Sequence, residues 1–220
     1  SDPRISKYFV PAVGNTGAKG EAAELFPIKG AYKGVRQGTN VTADNRYLTH
    51  SKTSVTINTP IIVMSAAEVW LLRAEAALRG YVDAGKEAEY YKKGVETSFA
   101  QWNAGDASAY LASDAVPVDY KDAFDKKFDA KALTTITPKW DATATNEQKL
   151  ERIITQKWLA CYPDGCEAWA EQRRTGYPQL FKVAVNNSNG VIDTDIMIRR
   201  LPFSSDLDAG TISKLTNLLG

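Results

Sequence analysis

Histidine and cysteine are scarce in this sequence, which has one histidine, His50, and two cysteines among 220 residues. A nucleophilic triad or a His-based metal site needs partners for its histidine. His50 stands in a polar Thr-His-Ser-Lys stretch where no such partner is placed, so we expect it to be exposed and inert. We accordingly expect no catalytic residue, no metal ligand and no cofactor site.

The two cysteines, Cys161 and Cys166, flank the sequence Tyr-Pro-Asp-Gly. A turn there would bring them within disulfide range, whereas a continuous helix would hold them too far apart. A local disulfide and a reduced pair are therefore both open. Two cysteines so spaced, without a nearby histidine, do not make a zinc site.

The sequence also lacks an excess of positive or negative charge, and it lacks a long hydrophobic run. Lys and Arg number 27 against 26 Asp and Glu, so nothing favours binding to nucleic acid. No apolar stretch approaches the roughly 20 residues that span a bilayer. The chain begins SDPR, without an initiator Met, a signal peptide or a lipidation site, and ends in the apolar Asn-Leu-Leu-Gly. We expect it to be a part of a longer protein.

Residues 65–102 carry the clearest structural signal and predict a helical hairpin. Ser65 with Glu68 fits a capping box at the start of the first helix, and Gly80 fits its left-handed end. The second helix can begin at Asp83. Its apolar residues recur at helical spacing; these are Tyr91, Val95, Ser98/Phe99 and Trp102. Small residues allow the helices to approach closely; these are Ala66, Ala67, Ala74, Ala76, Ala77 and Gly94. A hairpin of this length is the unit of tetratricopeptide (TPR) architecture.

A second strong helical signal covers residues 147–178. Thr145 or Asn146 can start a helix that Pro163 stops, and Asp164 can cap a second helix that ends at Gly176. Residues 103–146 form a variable loop region and residues 179–220 an irregular C-terminal segment. In the loop-rich first third, the alternating Val55–Thr59 allows a short strand. The fold class is therefore all-α, with TPR-like helical hairpins, long irregular loops and little β structure, in a single domain.

Several motifs in these helical segments resemble one protein family along nearly the whole chain. They are Ile154-Thr155-Gln156-Lys157-Trp158, Glu167-Ala168-Trp169, Arg173-Arg174-Thr175-Gly176-Tyr177-Pro178, and Ser65-x-x-Glu68-Val69-x-Leu71-Leu72-x-Ala74-Glu75-Ala76 leading into Gly80. The chain resembles the C-terminal portion of SusD-like (SusD/RagB) nutrient-binding outer-membrane lipoproteins. Such proteins are usually about twice this length, so an N-terminal half would be missing here.

The resemblance implies a non-catalytic protein that holds a glycan or another nutrient at the cell surface, lipid-anchored in its full-length form. It also implies a partner, a SusC-like TonB-dependent outer-membrane transporter. The alternative is a TPR-type interaction scaffold that recognises protein and binds no small molecule. A glycoside hydrolase would need two free carboxylates. Glu68 and Glu75 already have structural roles, as a cap and as an i, i+4 partner of Arg79.

Sugar capture usually uses aromatic faces exposed in loops, because the apolar face of a sugar stacks on them. Trp140 follows Pro138 in a Thr/Ala-rich loop and is the best placed of the five tryptophans, the other four being at helical apolar positions. Tyr47 and Tyr110 are weaker candidates. For the Arg173-Arg174 pair we expect one arginine to pair with helix-end carbonyls and Glu167 or Glu171, and the other to face solvent.

Overall fold

The computed structural model describes residues 2–13, 28–39, 45–199, 201 and 207–219. The chain forms two compact units, residues 1–185 and residues 186–220. The described residues form seven α-helices: α1 (Ile5–Tyr8), α2 (Ala66–Leu78), α3 (Glu87–Gln101), α4 (Ser108–Leu111), α5 (Asn146–Ala160), α6 (Gly165–Thr175) and α7 (Ala209–Leu219). Strands β1 (Phe9–Val10) and β2 (Lys52–Thr53) pair antiparallel, Phe9 opposite Thr53, and 3-10 turns occur at Asn45–Thr49 and Lys126–Phe128. The expected all-α, TPR-like class is confirmed.

The limits of α2 are set by local chemistry. The Ser65 hydroxyl accepts a hydrogen bond from the Glu68 N–H at 3.1 Å, and Gly80 follows the helix with φ +74°. The predicted start of the second helix at Asp83 is wrong, because α3 begins at Glu87. Asp83 and Gly85 adopt φ values of +45° and +87°, which a right-handed helix does not allow.

Helices α2 and α3 cross at a glycine. A Cβ atom added to Gly94 would lie 2.5 Å from Leu71 Cγ, so only a residue without a side chain permits this approach. The core lies between these helices and α5, and consists of Ala67, Leu71, Ala74, Ala77, Tyr90, Tyr91, Val95, Phe99, Ala107, Ile153 and Ala160. Eight of these eleven come from the hairpin, which makes the hairpin the scaffold of the first unit.

Helices α5 and α6 also begin and end where the sequence indicates. Thr145 and Gln148 form a complete capping box at the start of α5. The Asp164 carboxylate accepts from the N–H groups of Cys166 and Glu167, and Gly176 ends α6 with φ +80°. Cys161 is buried and Cys166 is exposed, and the two thiols do not form a disulfide in this structure.

Charged side chains from the recognised motifs connect α2, α5 and α6. Lys157 is 1% exposed, and its ammonium lies 2.7 Å from Glu167 and 2.9 Å from Glu171. Burial lowers the pKa of Lys157, but hydrogen bonds to these two carboxylates outweigh it, so the pKa lies above its ordinary value. The motifs that carry the resemblance therefore stabilise the packing of the helices, because a buried charge needs such partners.

Arg174 extends the same set of contacts to α2. Its guanidinium donates to both oxygens of Glu75 at 2.6 Å and to Glu171 at 2.6 Å. The expected bond from Arg79 to Glu75 is also present, at 2.8 Å. Burial raises the pKa of Glu75, but hydrogen bonds from Arg174 and Arg79 outweigh it and hold the pKa below its ordinary value.

Two further expectations concern the loops. The strand expected at Val55–Thr59 is wrong, because this segment forms a turn. The Thr56 hydroxyl accepts a hydrogen bond from the Asn58 N–H, and the Thr56 carbonyl accepts one from the Thr59 N–H. Ile57 is 99% exposed. The expectation of an irregular C-terminal segment at residues 179–220 is wrong in part, because Ala209–Leu219 forms α7, at the start of which Asp208 accepts a hydrogen bond from the Thr211 N–H. No helix in the described ranges is long and apolar enough to cross a membrane.

Candidate functional site

Two neighbouring depressions on the first unit share a wall made by the segment 136–137 and Arg152. The first has a volume of about 540 Å³ and the second about 500 Å³. The first is lined by Asp2, Tyr110, Ser113, Ala115, Val116, Pro117, Val118, Ile136, Thr137, Pro138, Arg152, Thr155, Gln156 and Leu159. The second is lined by Asp114, Thr135, Ile136, Thr137, Lys139, Trp140, Asp141, Ala142, Ala144, Gln148 and Arg152.

Helices α3 and α5 each donate a hydrogen bond to the backbone of the loop segment 136–138. Tyr91 on α3 donates its hydroxyl proton to the Pro138 carbonyl at 2.6 Å. Arg152 on α5 donates its Nε–H to the Thr137 carbonyl at 3.0 Å. A loop segment without secondary structure of its own is thus fixed by two long-range bonds. Side chains on either side of it are held in place by the helical core.

Tyr110 lies in the first depression, which is mainly apolar. Its hydroxyl accepts from Gln156 Nε2 at 2.8 Å, and its ring packs on Phe99 with centroids 5.3 Å apart. Burial, together with the nearby Asp2 charge, raises the pKa of Tyr110 to about 12. The phenol is therefore protonated at neutral pH.

The guanidinium of Arg4 packs near the Tyr110 ring, and each of its three nitrogens donates a hydrogen bond. Arg4 is completely buried, donates to both carboxylate oxygens of Asp2 at 3.2 Å or less, and also bonds to Ser98 and Gln156. Its guanidinium stands 5.5 Å from the centre of the Tyr110 ring. The negative charge of Asp2, which lines the first depression, is therefore balanced by the positive charge of Arg4.

Trp140 lies in the second, more polar depression. Its indole is half-buried and packs on Tyr91 with ring centroids 5.2 Å apart. Lys139 and Asp114 form an ion pair at 3.1 Å in the same depression, and Asp141 accepts from Thr143. An aromatic face beside hydrogen-bonding groups is the arrangement that a pyranose ring requires, one face for stacking and donors or acceptors for its hydroxyls.

Tyr47 lies in a separate aromatic cluster. It is 7% exposed, donates to Asp122 at 2.9 Å, and stacks on His50 with ring centroids 5.3 Å apart. The structure therefore brings Trp140 and Tyr110 to the two sides of one segment, and does not bring Tyr47 to them.

The expectation of an exposed His50 is wrong, because this side chain is 4% exposed. It is enclosed by Tyr47 and by Phe124, whose ring lies 5.5 Å from the imidazole, and within the described part of the chain neither imidazole nitrogen has a hydrogen-bond partner. Burial, helped by the charge of Lys33 and opposed by that of Asp122, lowers the pKa of His50. The surrounding polar sequence gave no sign of this, because Phe124 is distant along the chain.

Burial alone does not distinguish Trp140 from the other tryptophans, since all five are half-buried. Trp140 is distinguished by the depression it lines. For the arginine pair, Arg174 bonds to Glu171 as expected, while its bonds to Glu75 were not foreseen. Arg173 is exposed, as expected, and its guanidinium stands over the Trp169 ring at 4.6 Å.

Arg152 is the residue of this site that sequence reasoning missed. It is 5% exposed and lines both depressions, and its Nη1 is buried without a hydrogen-bond partner among the residues that the structure describes. Its neighbours in the sequence, Glu151 and Ile153, are also buried, so α5 is enclosed on more than its apolar face. A charged residue in such a helix gives no local signal that it lines a binding surface.

The comparisons with known proteins agree with this architecture. Residues 1–218 match the family model described as SusD-like, the SusD and RagB outer membrane lipoproteins. A search of curated proteins found no match.

Solved structures give the same family. A SusD homologue from Bacteroides vulgatus is 49% identical over 99% of this chain and 44% of its own, with a TM-score of 0.85. A SusD homologue from Bacteroides thetaiotaomicron is 35% identical over 98% of this chain and 44% of its own, with a TM-score of 0.82.

A third structure is a chitin-binding SusD homologue from Flavobacterium johnsoniae. It is 37% identical over 99% of this chain and 43% of its own, with a TM-score of 0.83. The chain thus spans less than half of the length of each of these relatives. With a family model matched along almost all of its residues and identities well above 30%, the chain belongs to the SusD-like family of SusD and RagB outer membrane lipoproteins.

Proposed function

We propose that this chain is the ligand-holding portion of a surface-exposed, lipid-anchored outer-membrane protein that captures a glycan without catalysis. The observation that carries this proposal is Trp140, a half-buried indole beside polar groups in a depression of about 500 Å³. The chitin-binding relative, 37% identical, supports a carbohydrate as the ligand class. Tyr110, in the adjoining depression, offers a second aromatic contact.

We further propose that the captured nutrient is delivered to a SusC-like TonB-dependent transporter. Family membership supports this partner. An exposed apolar segment supports contact with protein: Ile57, Ile61 and Val63 are each at least 90% exposed, and Met64 is 61% exposed. Contiguous apolar side chains at a surface are typical of a protein interface. The same segment is the observation that favours the second candidate function, a TPR-type scaffold without a small ligand.

A glycan-binding assay with the Trp140→Ala variant tests the proposal. The chain should bind at least one oligosaccharide of a glycan array, and loss of the indole face should weaken that binding by about tenfold, as expected for a stacking contact of 1–3 kcal/mol. Trp169→Ala is the matched control, because Trp169 is also half-buried but lines neither depression. Equal binding by both variants would reject Trp140 as the platform, and binding of no glycan would favour the scaffold.

A further inference from the structure

Arg152 is a buried cation that forms no ion pair with any residue in the described ranges. Among the described residues, its guanidinium makes one protein hydrogen bond, from Nε to the neutral Thr137 carbonyl. The other two buried cations of this unit differ: Arg4 pairs with Asp2, and Lys157 pairs with Glu167 and Glu171. An unpaired buried charge is costly, so its retention at a cavity wall points to an anion supplied from outside.

The acidic groups that line the two depressions with Arg152 are already engaged, and the adjacent buried Glu151 lines neither depression. In the first depression Asp2 is held by Arg4, and in the second Asp114 is held by Lys139. The remaining carboxylate, Asp141, accepts two hydrogen bonds from Thr143, which lower its pKa, with the Arg152 charge as a weaker contribution. Asp141 therefore acts on Arg152 at a distance and forms no ion pair with it. Arg152 remains the uncompensated positive charge of the wall that the two depressions share.

We infer that the site takes an acidic saccharide, whose anionic group pairs with the Arg152 guanidinium while a sugar ring stacks on Trp140. This rests on the proposed glycan-binding function and adds the class of glycan. A guanidinium pairs with a carboxylate, as in a hexuronic acid, and equally with a sulfate ester, since both carry an oxyanion that accepts a hydrogen bond from an N–H group. The shared chemistry is an oxyanion on a sugar. A neutral sugar would fill the same depression and leave the buried charge unpaired.

The test compares one saccharide skeleton with and without its charge. We would measure binding of a galacturonic acid trisaccharide and of its methyl ester by calorimetry at low salt. The free acid should bind about 10- to 100-fold more tightly than the ester, the range expected of one charge-assisted hydrogen-bonded pair. A sulfated neutral trisaccharide, measured in parallel, shows which oxyanion the site prefers.

Two variants assign that preference to a residue. In Arg152→Gln the acid should lose its advantage, while the ester binds as it does to the unmodified chain. A simple loss of loop structure would weaken both ligands equally. Lys131→Gln is the matched control, because it removes one positive charge that is already paired with Asp119 and that lies in neither depression. It should leave the ratio of the two affinities within about threefold, because a paired and exposed charge contributes little.

The outcomes separate this inference from the function on which it rests. Equal binding of acid and ester, or an acid preference that survives Arg152→Gln, overturns the acidic-saccharide assignment while glycan binding stands. Failure of every saccharide to bind overturns both. A preference for either oxyanion that disappears with Arg152 supports the inference.

Discussion

Gly94 on α3 lies directly against Leu71 on α2, so closely that a Cβ atom at position 94 would stand 2.5 Å from Leu71 Cγ and 2.8 Å from its Cδ2. Leu71 is fully buried among core side chains. This contact sets how near the two helices of the hairpin approach, and hence where Tyr91 of α3 meets Pro138.

Replacing Gly94 by alanine should destabilise the protein. The better helix propensity of alanine favours folding by about 1 kcal/mol, but forcing a methyl group into a filled core costs about 1–3 kcal/mol, and the severe overlap places this site at the upper end. Urea unfolding gives the net change. Gly165→Ala is the control, because a Cβ there meets nothing within 4 Å, and its free energy of unfolding should stay equal or rise. A stabilised Gly94→Ala would contradict the close approach.

The Arg174–Glu75 contact should matter more for stability than the exposed ion pairs among the described residues. Removing the guanidinium with Arg174→Gln leaves the nearly buried Glu75 carboxylate with Arg79 alone. We expect a loss of about 2 kcal/mol, moderated by the partial exposure of Arg174. Lys131→Gln, which breaks an exposed pair with Asp119, should change the unfolding free energy little. Equal effects of the two variants would contradict a special role for Arg174.

His50 should make stability depend on pH, and as the one histidine of the chain it can be studied in isolation. Its pKa in the folded protein lies below the ordinary 6.5, so the unfolded chain takes up the proton first as the pH falls. Stability should be complete above about pH 6.5 and decline as the pH falls towards the folded pKa.

Unfolding in urea at pH 7.5 and 5.5 measures this dependence. The unmodified chain should be less stable at the lower pH, and His50→Phe, which keeps an aromatic ring between Tyr47 and Phe124, should lose less stability over the same interval. An imidazole pKa at or above 6.5, followed by NMR on the folded protein, would show that His50 is not desolvated.

The two free cysteines should differ in their reaction with a thiol reagent. Cys166 is exposed, whereas Cys161 is buried, and burial raises its thiol pKa to about 12. Since the thiolate is the reactive form, one equivalent of reagent should label the native protein quickly, at Cys166. Denaturation should release the second. Rapid labelling of two thiols in the native state would contradict the burial of Cys161.

The sequence by itself determined the features that depend on a few adjacent residues. Ser65, Thr145 and Asp164 begin helices, and Gly80 and Gly176 end them, because a cap or a left-handed glycine acts over one turn of chain. These local signals were enough for the helical class, and together with the motifs they were enough for the family.

Only the tertiary structure decided which distant groups meet. The Arg174 guanidinium reaches Glu75 across 99 residues, and His50 is enclosed by Phe124, although neither position carries a local sign of it. The same holds for the candidate site, where Arg152 acquires an unbalanced charge and Trp140 a depression to line. Whether a charged or aromatic side chain is buried, and which group it pairs with, depends on contacts between segments that are distant in the sequence. The sequence therefore shows the residue types but not the electrostatic environment of each side chain.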